Sequence, residues 1–152
     1  MMKYVLIKAT TALLITVCAV HMTTAAEIRA DITGIKTNKG QIRCAVFKSA
    51  KGFPGESKDT IQQDALQIKE LPASTAAPVL CDFRELVSGI YAISVLHDEN
   101  EDGLLNKNFL GLPTESYGVS NNITPAMRAP TFDESKFTVD TETQLRLSIQ
   151  LK

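Results

Sequence analysis

The chain has 152 residues, of which 16 are Lys or Arg and 17 are Asp or Glu, giving a net charge of −1. No basic stripe or stacked aromatic platform runs through it, which excludes nucleic acid as a partner. Its length suffices for one domain with a real core and not for two once an N-terminal leader is set aside.

That leader is expected over residues 1–26. Lys3 and Lys8 flank an early apolar patch, Ala12 to Val20 form an apolar core, and Thr24, Ala25 and Ala26 are small residues at a cleavage site before Glu27. The apolar core falls short of the roughly 20 residues a membrane span needs, so no stable span is expected after processing. Cys18 follows Val17 rather than a small residue, which argues against lipidation there. The expected product is residues 27–152, with 14 basic and 17 acidic residues and a net charge of −3. A periplasmic or secreted location follows.

Glu27 to Lys36 alternates apolar Ile28, Ala30 and Ile32 with polar Arg29, Asp31 and Thr33, a strand with one wet face. After the Asn38-Lys39-Gly40 turn the period resumes through Ile42, Cys44 and Val46, so the two strands are expected to pair as a hairpin. Lys51-Gly52-Phe53-Pro54-Gly55 is a turn-rich segment from which Phe53 can fold back onto a sheet; it lacks the Gly-Lys-Ser/Thr ending of a phosphate loop. Asp59 to Leu71 fits both helical and strand spacing, and its β-rich surroundings favour a strand. Val79, Cys81 and Phe83 then share one face of a further strand. Cys44 and Cys81, both inward-facing in an exported chain, are expected to form a disulfide. Zinc is disfavoured: the two thiols are widely spaced and His97 is the only mature histidine.

From Gly89 to Leu96 both faces are largely apolar, which marks a central strand. Asn122-Ile123-Thr124 matches a glycosylation acceptor where the source organism uses one. Phe137 and Val139, then Leu145, Leu147, Ile149 and Leu151, alternate with polar residues in two closing strands. About seven short strands joined by turns indicate an all-β fold, an antiparallel β-sandwich.

The chemistry-bearing stretch follows the central strand. Asp98, Asn100, Asp102, Gly103, Leu104 and Asn106 fall at positions 1, 3, 5, 6, 7 and 9 of a calcium loop, where alternate oxygens converge on a hard cation. Position 12 is Phe109 instead of the bidentate Glu. The competing reading is equally physical: Asp and Asn cap turns with their own side chains, so the loop needs no ion. The cofactor expectation is therefore none, or calcium. His97 and Asp98, neighbours on a strand, point to opposite faces and do not form an acid-base pair. Glu115 with Asp102 is a carboxylate pair of unknown separation. Tyr117 and Phe109 either line a recognition surface or form the loop's own small core.

The run from Gly89 to Asn106, then Leu110-Gly111-Leu112-Pro113-Thr114-Glu115-Ser116-Tyr117-Gly118-Val119-Ser120-Asn121-Asn122, resembles the exported bacterial family called domain of unknown function 2141. The resemblance continues through Pro130-Thr131-Phe132 and Phe137-Thr138-Val139 and covers most of the mature chain. It implies a single exported domain with a transthyretin-like or immunoglobulin-like sandwich, and no established reaction. Asn106 stands where relatives tend to be Asp-like, which removes a charge from any ion site. The chain thus reads as a binding or structural module rather than an enzyme, with 97–122 as its working face and a protein, glycan or small molecule of the cell envelope as partner. His97, Glu115 and Tyr117 are the candidate binding residues. The rivals are an envelope hydrolase using His97 with Glu115 or Asp102, and a carrier with an apolar cavity between its sheets.

Overall fold

The computed structural model describes residues 25–141 and 144–152. Among the described residues eight strands form two sheets. In chain order they are β1 (Ala26–Thr33), β2 (Gln41–Phe47), β3 (Gln67–Pro72), β4 (Val79–Leu86), β5 (Gly89–Asp98), β6 (Tyr117–Val119), β7 (Phe137–Val139) and β8 (Gln144–Gln150). The three-stranded sheet has the order β4-β1-β8, the five-stranded sheet the order β3-β2-β5-β6, and β7 also pairs with β5. The all-β sandwich therefore stands.

The alternating strands face each other across one core. Ile28, Ala30, Ile32, Cys81 and Phe83 from the smaller sheet meet Ile42, Cys44, Val46, Tyr91, Ile93 and Val95 from the larger, and Ile149 joins them. Cys44 and Cys81 are disulfide-bonded with their Cα atoms 6.4 Å apart, which ties β2 to β4 across the core. The Tyr91 hydroxyl donates to Val87 O at 2.7 Å, so this buried phenol does not leave its polar end unpaired.

Three local expectations are corrected. β1 and β2 are not a hairpin: β2 pairs with β3 and β5, and residues 34–40 carry the chain from one sheet to the other. Gly34, at φ +77, makes the departure, and a Cβ there would lie 2.7 Å from Leu151 O. Period-two alternation is identical for strands that pair and strands that face each other, so it could not separate the two. The segment 59–71 is both of its alternatives in succession, a one-sided helix α1 (Lys58–Asp64) capped by Ser57 and then β3. Finally, β8 runs parallel to β1, from Glu27↔Gln144 to Thr33↔Gln150, while the other strand pairs are antiparallel. Strands so far apart in sequence need no tight turn and are free to pair either way.

The larger sheet is covered on its outer face too. Ala45 and Phe47 of β2 pack there with Ile61 of α1, and Phe53 packs edge-on between Phe47 and Phe132, with centroid separations of 5.4 and 5.9 Å. This second layer explains why β5 is apolar on both faces. The expected leader lies almost wholly outside the described residues. Its last member, Ala26, is the buried first residue of β1 and pairs with Leu86.

Candidate functional site

The calcium-like spacing folds into a loop closed by its own hydrogen bonds. Asn100 Oδ1 accepts from Asp102 N, and Asp102 Oδ1 accepts from Leu104 N at 2.8 Å. Asp102 Oδ2 accepts from the amides of Asn100 and Asn106 at 2.8 and 3.1 Å. These donors, led by the Leu104 N–H, hold the exposed Asp102 carboxyl below its usual pKa. Asp98 is fully buried; its Oδ2 accepts from Gly103 N at 3.0 Å and lies 3.7 Å from Arg43 Nη1. Leu104 is held by a bridge to Ser57, and Leu105 N donates to Glu56 O. Two oxygens of the set, Asp98 Oδ1 and Asn106 Oδ1, have no donor. Among the described residues no group of three or more His, Cys, Asp or Glu side chains is arranged to hold a metal ion.

Glu115 is a clamp across this loop. Although it belongs to a long polar segment it is buried, its Oε1 accepting from Glu99 N at 2.9 Å and its Oε2 from Asn106 N at 3.0 Å. Both oxygens are thus engaged in shaping the backbone. His97 is also fully buried and, as strand alternation requires, faces the opposite side from Asp98. Its Nε2 lies 2.9 Å from Lys39 O. A carbonyl only accepts, so Nε2 carries the proton. Nδ1 has no hydrogen-bond partner, and Glu99 Oε1 stands 3.9 Å away.

Beyond the clamp, residues 106–114 double back on themselves. Thr114 N donates to Asn106 O and Asn108 N to Leu112 O, and Asn108 Oδ1 accepts from both Leu110 N and Leu112 N. Phe109 stands 95% exposed at the tip, with Leu110 and Leu112 also exposed. Phe109 therefore belongs to no loop core. Facing this finger is the segment 125–130, where Met127 is 92% exposed. Arg128 pairs with both oxygens of Glu134, which also caps the four-residue helix α2 (Phe132–Ser135) through Thr131. Finger and wall bound a cleft of about 360 Å³ whose lining includes Leu110, Leu112, Tyr117, Met127 and Pro130, with Lys107 and Glu56 paired at 2.8 Å on its rim.

Tyr117 leads inward. On the outer face of the larger sheet it registers with Leu96, which registers with Arg43. A recess of about 30 Å³ is lined by these three with Ser94, Leu105 and Glu56, and it shares Pro54, Glu56, Leu105 and Tyr117 with the cleft. Of the residues expected to form a site, Asp98, Asn100, Asp102, Leu104, Asn106 and Glu115 build the loop, His97 lies on the inner face, and Tyr117 alone lines the cleft. Arg43 and Met127 were missed. Arg43 reads as a wet-face residue because Ile42, Cys44 and Val46 claim the core, and nothing local reveals that α1 and residues 53–57 cover the other face. The Asn122 amide, the expected glycan acceptor, donates to Ser148 O and accepts from Gln150 N, occupying the free edge of β8.

A family described as "Uncharacterized protein conserved in bacteria (DUF2141)" matches residues 30–146, and the chain belongs to that family. No curated protein and no solved structure matches it.

Proposed function

We propose that this protein is an exported binding module whose ligand-binding surface is the cleft between residues 105–113 and 125–130, held at one end of a disulfide-locked sandwich. The observation that carries the reading is the convergence of exposed Leu110, Leu112 and Met127 around a cleft of about 360 Å³ with Tyr117 in its lining. A concave, mainly apolar site with few polar groups is the usual form of a small-molecule site. The Cys44–Cys81 bridge supports an oxidising compartment, periplasmic or extracellular. The 98–106 loop acts as the rigid base of the finger. Its carboxylates accept from N–H groups, and Asp98 has a guanidinium beside it, which favours turn-capping over calcium as the role of the loop.

The engaged oxygens of Glu115 and the buried ring of His97 favour binding over hydrolysis. A carrier role fits the same cleft; the space between the sheets is occupied by the core and the disulfide. The test is a fluorescence titration with the apolar dye 1-anilinonaphthalene-8-sulfonate. Saturable enhancement at one dye per chain is expected, lost in Leu112→Asp and Met127→Asp without a change in melting temperature, since both side chains are exposed. Enhancement equal in all three proteins would sink the proposal.

A further inference from the structure

Sulfur is distributed unevenly in this fold. Cys44 and Cys81 are fully buried and bonded to each other, so neither has a thiol to offer. Among the described residues the one other sulfur belongs to Met127, which is 92% exposed. Thioether oxidation follows access, and the sulfoxide it produces is polar where methionine is apolar. The segment that carries Met127 is held in place: Pro130 is buried, and the adjacent Arg128 bonds both oxygens of Glu134 at 2.6 and 2.8 Å. The thioether is therefore set in the cleft wall, in one lining with Leu110 and Leu112 of the finger. A leucine there would supply the same apolar wall. What methionine adds is a sulfur that an oxidant can reach.

We propose that Met127 is a reversible oxidation site that controls the cleft: as the thioether it completes an apolar wall, and as the sulfoxide it makes that wall polar and weakens the hold on an apolar ligand. This rests on the cleft being the binding surface. The oxidant is a peroxide. The Sδ lone pair attacks its outer oxygen, the O–O bond breaks, and the proton of the transferred oxygen passes to the departing hydroxide, so sulfur gives up two electrons and water leaves. Reversal takes two thiols of a sulfoxide reductase, which become a disulfide while the oxygen departs as water. The exposure of Met127 puts the sulfoxide within reach of such an enzyme. The change leaves the core untouched, since Met127 belongs to neither apolar cluster.

The experiment treats the disulfide-bonded protein with hydrogen peroxide, follows oxygen uptake by intact mass and peptide mapping, and titrates 1-anilinonaphthalene-8-sulfonate before and after. One oxygen on Met127 is expected, with dye affinity reduced at least about fivefold because a sulfoxide dipole must be desolvated where the thioether was apolar. The melting temperature should not move, and a thiol-dependent methionine sulfoxide reductase should restore the affinity. In Met127→Leu the affinities before and after peroxide should be equal, whatever that variant's starting value. Oxygen on Met127 with dye affinity unchanged, or a peroxide effect of the same size in Met127→Leu, overturns the control and leaves the cleft reading intact. Affinity that stays low after the sulfoxide is reduced overturns its reversibility. Failure of Met127 to take up oxygen under conditions that oxidise free methionine overturns the site itself. Absence of saturable dye binding in the untreated protein overturns the cleft and its control together.

Discussion

Glu115 shows how one side chain can hold a long loop to a single shape. Without it, Glu99 N and Asn106 N lose their acceptor, and the stretch between them, which carries Asp98's partner Gly103, loses its clamp. A hydrogen bond to a charged group is worth about 1.5–3 kcal/mol, so Glu115→Ala should cost about 3 kcal/mol in urea unfolding, after allowing for water reaching the half-exposed amides. Glu115→Gln, which keeps one carbonyl oxygen, should lose about half of that. Millimolar calcium should move none of the three curves: an ion of that kind wants six to eight oxygens, and this loop leaves two acceptors free beside a buried guanidinium. A saturable calcium-dependent stabilisation would instead make the loop an ion site. The Asp/Asn spacing was plainly legible in the sequence. Its meaning was not, because turn-capping and ion ligation call for the same side chains, and only the donors that reach each oxygen separate the two.

The cleft wall depends on a short element whose stability is pH-linked. In α2, Thr131 and Glu134 cap each other's backbone, and Glu134 also takes both Arg128 bonds. Led by Arg128 and then Thr131, these contacts bring the Glu134 carboxyl down from 4.5 to about 2. A depressed folded-state value means stability present above about 4.5 and lost as pH falls through about 2. A carboxyl carbon titration should therefore place the Glu134 midpoint near 2, and Arg128→Ala should raise it toward 4.5 while the Thr131 bonds keep it below that value. A wild-type midpoint near 4.5 would mean that the Arg128 pair does not form in solution. Strand β8 declared itself by alternation and β5 by an apolar run on both faces; α1 did not declare itself, since a seven-residue helix carrying one buried residue, Ile61, has too little pattern to outweigh the strand that follows it. That short cover is what turned Arg43 from a wet-face residue into a buried one.

At the scale of the whole molecule the question is what holds two sheets together when the chain passes between them after β1, β3, β4 and β7. Neighbouring β1 and β2 part company at Gly34, and β8 returns to the first strand from the far end of the chain, so most pairings close long loops. Alternation told which residues face the core but not which sheet each strand joins, because sheet membership is decided by crossings such as 34–40 that leave no periodic mark. The inward bias of Cys44 and Cys81 was the one long-range constraint readable in advance. It joins β2 to β4 across a separation of 37 residues, and the loop-entropy relation for that length gives about 4 kcal/mol. Domains of this size have only about 5–15 kcal/mol in total, so the bridge is a large share of the difference between folded and unfolded chain. Replacing both cysteines by Ala should lower the urea midpoint by about 2 M, taking a slope of about 1.5–2 kcal/mol per molar. The slope itself should rise as the unlinked chain exposes more surface on unfolding. A midpoint shift under about 0.5 M would mean that the core formed by Ile28, Phe83, Tyr91 and Ile149 holds the sheets by packing alone, and that the bridge serves another purpose.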